Sequence, residues 1–159
     1  SCEVFEHAIN WHKIFLSMNK ILKDNGILIF TCASKGRLEH GTLRTNPGES
    51  PGTMSDYYRN LDEKDFTRKF DLKKMFNEYY FFYNYYSFDL FFIGIKNKDL
   101  TNFDIEQIRK IVKEIKSDTK TIFLKRIFYS NILSDKNYQN FRFFRRKIVN
   151  FLLNKLKIK

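Results

Sequence analysis

A chain of 159 residues has the length of one ordinary domain, and its 43% apolar content with 18 Phe and 9 Tyr against 6 Gly and 2 Pro excludes a disordered or collagen-like polymer. The formal charge of +11 points toward phosphate, nucleic acid or an anionic membrane as partner, but it is unevenly placed. Residues 120–159 hold eleven basic side chains and one acid, Asp135, which leaves 18 basic and 17 acidic groups in the first 119 residues and a nearly neutral body.

From Asn10 the positions Trp11, Ile14, Phe15, Met18, Ile21 and Leu22 follow the spacing of one helical face. The helix is expected to stop at Lys23-Asp24-Asn25-Gly26, with Gly as a left-handed cap. Ile27–Cys32 is a short continuous apolar run, read as a strand buried on both faces and parallel to its neighbours. Residues 34–58 carry both prolines and four of the six glycines without periodicity, as a substrate-covering loop would. Asn60 and Glu63 have capping-box spacing ahead of a short helix through Phe70, and Leu72–Phe76 adds a turn. Tyr79–Tyr86 and Phe88–Lys96 predict an antiparallel hairpin, since the polar groups within them do not suit a membrane span. Helices are predicted over 104–116, with Ile105, Ile108, Ile111, Val112 and Ile115 on one face, and over 138–157.

Cys2 and Cys32 are too few for a disulfide framework and lack the CxxC spacing of a metal knuckle, which suits a reducing, cytoplasmic setting. No charged segment followed by an apolar one opens the chain, so no signal peptide is read. The chain starts at Ser1 on residues that look like the end of an element, and an upstream continuation is expected.

Ser1-Cys2-Glu3-Val4-Phe5-Glu6-His7, an amphipathic helix, then Leu22-Lys23-Asp24-Asn25-Gly26-Ile27-Leu28-Ile29-Phe30 resembles the second half of class I S-adenosylmethionine-dependent methyltransferases. The resemblance covers about residues 1–97. It implies an α/β fold: part of a Rossmann-like methyltransferase sheet, parallel strands plus a C-terminal antiparallel hairpin, with 98–159 left as a basic helical extension. It also implies methyl transfer from S-adenosylmethionine to a hydroxyl of a small molecule or saccharide, with Ser1, Cys2 and Glu3 at the methionine end of the cofactor. The glycine-rich loop that follows the family's first strand has no counterpart in these residues.

Glu3, Glu6 and His7 form an E-x-x-E-H pattern whose three side chains share one side if the segment is helical. Similar clusters serve as metal ligands in some members of the class, which take a further His from the loop after strand five. His40 in Arg37-Leu38-Glu39-His40-Gly41-Thr42 holds that kind of place. A divalent cation such as Mg²⁺ on Glu3, Glu6, His7 and His40 would lower the pKa of a substrate hydroxyl. Two alternatives stand beside it: His7 or His40 as general base, and a metal-free cluster that only positions the cofactor and caps a helix. Arg37, Arg44, Tyr57 and Tyr58, in or beside the loop, suit an anionic or sugar substrate, and equally a solvated loop.

The extension suggests a further partner. Phe141, Phe144, Ile148, Phe151, Leu152 and Leu156 share one face of residues 138–159 with Arg and Lys beside them, the pattern of a helix lying on an anionic membrane. This feature also supports a rival, non-enzymatic reading as a basic module for membrane or nucleic acid. Nucleic acid suits the bulky aliphatic content less well.

Overall fold

The computed structural model describes residues 1–45, 47–49, 56–96 and 102–134, with single positions between 137 and 151. The architecture is mixed α/β: a small three-stranded antiparallel sheet with helices around it. Helix α1, Trp11–Ile21, forms where the apolar period predicts and buries Trp11 and Phe15. Its end differs from expectation. Gly26 does not adopt a left-handed conformation; glycine is needed there for space, because a Cβ would lie 2.6 Å from Leu22 Cδ1 and 3.0 Å from the Lys23 carbonyl.

Strands β1 (Ile27–Ala33), β2 (Glu78–Asn84) and β3 (Asp89–Ile95) lie in the order β1-β3-β2, with β3 antiparallel to both neighbours. The predicted β2–β3 hairpin is present. Its register sets Phe30, Phe92 and Phe81 in one row across the sheet, with ring centroids 4.9 and 4.8 Å apart. On the same face Phe5, Phe15 and Phe66 pack onto that row, so aromatic rings supply most of the core. Short helices α2 (Glu63–Thr67) and α3 (Leu72–Met75) close this side through Phe66 and Leu72.

The parallel, doubly buried reading of 27–32 is corrected. Among the described strands β1 pairs with β3 alone, in antiparallel register, and its burial alternates: Leu28, Phe30 and Cys32 face the core while Ile27 and Ile29 are about half exposed. A single covered face produces that alternation. Parallel pairing among the described residues is limited to one isolated bridge, Cys2 to Thr31, where Thr31 N–H donates to the Ser1 carbonyl at 2.9 Å and Glu3 N–H to the Thr31 carbonyl at 3.0 Å.

Two boundaries also move. The capping box belongs to Asp62 and Asp65, not to Asn60 and Glu63, because the Asn60 amide is engaged with the Arg37 carbonyl at 2.8 Å. Helix α4 runs over Asn102–Ile132 instead of stopping at Lys116. Residues 117–120 are polar but contain neither Gly nor Pro, so nothing breaks the backbone ladder there. Its first half packs on β2, with Val112 buried and Arg109 bonded to Glu78 at 2.8 Å. Where described, positions 137 to 151 are helical; the rest of the predicted 138–157 helix lies outside the described residues.

Candidate functional site

The site is built where two chain segments meet beyond Ala33, the carboxyl end of β1. The first follows the Cys2–Thr31 bridge. Glu3 adopts a left-handed backbone, φ 51°, which turns the chain off the β1 edge into a 3-10 turn at Phe5–His7. Phe5 drives into the core against Phe30, ring centroids 4.8 Å apart. That anchor carries Glu6 and His7 inward, to 0% and 9% exposure. The turn is then fixed from the far side, where Arg59 N–H donates to the Glu6 carbonyl and Leu61 N–H to that of Ala33, both at 2.9 Å.

The second segment is the loop after β1. Gly41, at φ 66°, provides the left-handed position that a Cβ would strain. Around it the Thr42 hydroxyl donates to Glu39 at 2.7 Å and Arg44 Nε to the same carboxylate at 3.0 Å. These bonds hold the carboxyl of Glu39 below its usual range and hold the loop in shape. His40 then lies edge-on to His7 with centroids 5.2 Å apart, and Tyr58 completes the group at 5.2 Å from His40 and 5.3 Å from His7. His40 Nδ1 is 3.1 Å from the Leu38 carbonyl and 3.2 Å from the Tyr58 hydroxyl, which itself donates to that carbonyl at 3.1 Å. In the tautomer that donates Nδ1–H to this carbonyl, His40 keeps the Nε2 lone pair for a ligand or a proton.

The electrostatics follow from burial. Among the described residues neither Glu6 carboxylate oxygen has a hydrogen-bond partner of good geometry, and Glu3 Oε2 is in the same position. Burial, and then the neighbouring Glu3 charge, push Glu6 up to about 8. His7 is lowered by its burial and by His40. Burial raises the Tyr58 hydroxyl, with Glu6 adding to the effect, so it stays a neutral donor. Cys32 is raised by burial and by Glu6 and Glu3, which makes it an inert part of the core.

One ligand atom from each of Glu6, His7 and His40 can be chosen so that all lie within 4.8 Å of one another. Around a cation with bonds of about 2.1 Å, ligand atoms sit roughly 3 to 4.2 Å apart, so closure takes roughly an ångström of side-chain movement. The Glu6 oxygens without a well-aligned hydrogen-bond partner, together with the imidazoles of His7 and His40, fit such an ion. Two imidazoles with one carboxylate suit Zn²⁺, Mn²⁺ or Fe²⁺ better than Mg²⁺, which favours oxygen ligands.

Of the expected residues, Glu6, His7, His40 and Tyr58 converge. Glu3 lies beside Glu6 but not in the three-residue group, because the segment is a 3-10 turn entered from a left-handed residue and not a helix that includes position 3. Ser1 and Cys2 are exposed along the β1 edge. Arg37 is held by Asp89 at 3.3 Å and by the Ser87 carbonyl, and Arg44 by Glu39 at 2.8 Å and Asp56 at 3.6 Å, so both guanidinium groups brace the loop. Tyr57 is half-buried. The Leu38 carbonyl, which meets the His40 ring, and Glu39, which holds Thr42 and Arg44 in the loop beside it, were not legible as site groups; their only signal was adjacency to His40. Comparisons with protein-family models, with curated proteins and with solved structures returned no match.

Proposed function

We propose that this chain is part of an S-adenosylmethionine-dependent methyltransferase that transfers a methyl group to a hydroxyl of a small molecule or saccharide, and that Glu6, His7 and His40 form its acceptor-activating site. The carrying observation is the convergence of these three groups, Glu6 and His7 buried and His40 half-buried, at the carboxyl end of β1, the place where an open α/β sheet binds its ligands. Further support is the parallel bridge at Cys2, which lays the segment before the site alongside β1 in the direction the resemblance implies.

When bound, a divalent cation on Glu6, His7 and His40 would polarise the acceptor hydroxyl and lower its pKa. The chain's own residues do the rest. Leu38 fixes the His40 ring, leaving Nε2 to meet the acceptor side of the site. His7, kept neutral by burial, supplies a second imidazole able to take the proton that the hydroxyl loses. The neutral Tyr58 hydroxyl, bonded to the same Leu38 carbonyl and 3.2 Å from His40 Nδ1, helps hold that ring in place. Little covalent chemistry is required, since methyl transfer depends on aligning donor, carbon and acceptor.

The test uses the gene product that carries these residues, incubated with methyl-tritiated S-adenosylmethionine and panels of saccharide and small-molecule hydroxyl acceptors. Incorporation that is lost in His40→Ala supports the reading. Absence both of incorporation and of photo-crosslinking to the cofactor would remove it.

A further inference from the structure

The elbow between α2 and α3 carries positive charge that no carboxylate among the described residues neutralises. Phe66 and Leu72 are buried in the core, and Phe70 between them packs on Phe15 with ring centroids 4.8 Å apart, so the backbone of the elbow is pinned. Arg68, Lys69 and Lys73 lie among these anchors and are exposed. With Tyr79 they border a cavity of about 420 Å³. The carboxylate on its rim, Asp71, is already engaged: it accepts from the Lys74 ammonium at 3.1 Å and from the Lys74 backbone N–H at 3.4 Å. Among the described residues Arg68, Lys69 and Lys73 themselves form no ion pair.

Arg68 also borders an adjoining cavity of about 310 Å³, where the chemistry is different. Its two acids are engaged, Asp65 with Arg59 and Asp62 with the backbone of α2. Asn60 is on the same rim. Its amide N–H donates to the Arg37 carbonyl at 2.8 Å, while its buried Oδ1 has no hydrogen-bond partner of good geometry among the described residues. A ligand hydroxyl supplies the donor that this oxygen lacks.

Three cations on one pinned elbow repel one another, and an anion of more than one charge relieves that cost. A phosphate monoester carries close to two negative charges near neutral pH, and its three terminal oxygens can meet the Arg68 fork and two ammonium groups together. A carboxylate offers one charge and two oxygens. A nucleic-acid backbone presents a row of single charges, which suits a line of cations better than a group gathered around one concavity beside two acids.

We infer that the α2–α3 elbow is a binding site for a small phosphorylated sugar or polyol, with the phosphoryl group on Arg68, Lys69 and Lys73 and a hydroxyl donating to Asn60 Oδ1. The binding is independent of the methyltransferase reading, since no residue of the Glu6, His7 and His40 cluster takes part.

Titration of the ¹⁵N-labelled 159-residue protein, followed by NMR and calorimetry, tests it. Glucose 6-phosphate or ribose 5-phosphate should give saturable shifts of the Arg68, Lys69 and Lys73 amides and of the Asn60 side-chain amide. Inorganic phosphate should move the first three alone and bind more weakly, and glucose and ribose should move none. Arg68→Gln combined with Lys73→Gln should weaken sugar-phosphate binding about tenfold or more with an unchanged circular dichroism spectrum, since both side chains are exposed. Lys13→Gln combined with Lys20→Gln removes the same charge from exposed positions of α1 and should change the affinity less than about twofold. Absence of saturable shifts at the elbow with both sugar phosphates would overturn the inference. So would equal weakening by the two double variants, because that is attraction to overall charge. Inorganic phosphate that binds as tightly as the esters would overturn the sugar or polyol assignment. Phosphatidic acid vesicles or an oligothymidylate that competes more tightly for the same amides would overturn it in favour of a lipid headgroup or nucleic acid.

Discussion

Replacing Glu6 by Gln removes one titrating group while nearly keeping the size of a fully buried side chain. Burial and Glu3 lift this carboxyl from 4.5 to about 8. An acid raised in the folded state gives up its proton more easily once unfolded, so the metal-free protein loses stability as pH rises from about 4.5 through about 8. Integrating between about pH 5 and pH 8 gives at most roughly 3 kcal/mol. With a urea slope of about 1 to 3 kcal/mol per molar, the unfolding midpoint should drop by about 1 to 3 M over that range. His7 works with the opposite sign: its pKa is lowered by burial and by His40, so its contribution is present above the ordinary value of 6.5 and is lost as pH falls. Glu6→Gln should therefore abolish the decline toward alkaline pH and leave a profile that is level or rises with pH. Urea unfolding followed by circular dichroism, with a chelator present throughout, measures both profiles. A Glu6→Gln curve that falls with pH as steeply as the parent's would refute the assignment of a raised, uncompensated carboxyl at this position.

In the gene product that carries this chain, His7→Ala and His40→Ala should each lower kcat by about 10²-fold or more in the methyl-transfer assay, whether they hold a metal or accept a proton. Parental rates in both variants, with no effect of a chelator, would remove both roles. Gly94→Ala should destabilise by about 1 to 3 kcal/mol through overpacking, since its Cβ would lie 2.6 Å from ring atoms of both Phe76 and Phe92. A unchanged or raised urea midpoint would show that these two rings shift at little cost.

What could be seen in the sequence depended on how local its cause was. Helix α1 was legible because Trp11, Ile14, Phe15 and Met18 pack on one core, and the 3.6-residue period records that single contact. The β1 strand was legible as a strand but not in its surroundings. A run such as Ile27–Cys32, apolar but for Thr31, looks the same whether one face or two are covered, and the outward Ile27 and Ile29 carry no mark of their exposure. The sheet order sets β3 between strands that are 51 residues apart in the chain by their first positions, Ile27 and Glu78, and no local pattern encodes such a placement. The cap of α2 failed for a different reason. Asn60 and Asp62 are both good capping residues, and the choice fell to the one whose side chain was not already bound elsewhere.

The site shows the same division. Glu6 and His7 were accessible because they are adjacent, but the helical phasing that would have added Glu3 does not exist, since Glu3 itself is the left-handed corner. His40 stands 33 positions beyond His7, and the pairing came from a resemblance, not from any spacing rule. Tyr58 was a candidate for substrate, yet its hydroxyl is turned toward His40 and the Leu38 carbonyl. The energetics argue that this cluster is more than packing. A buried carboxyl without good hydrogen bonds is costly, and well-packed apolar residues in its place often stabilise a fold. Here an aromatic core already sufficient to seat Phe5 against Phe30 also carries Glu6 and His7 into burial beside a second imidazole, itself oriented by a backbone carbonyl. A fold that needed only to close this corner had cheaper residues at hand; perturbed, convergent titratable groups at the end of a strand are what acid–base or metal chemistry requires.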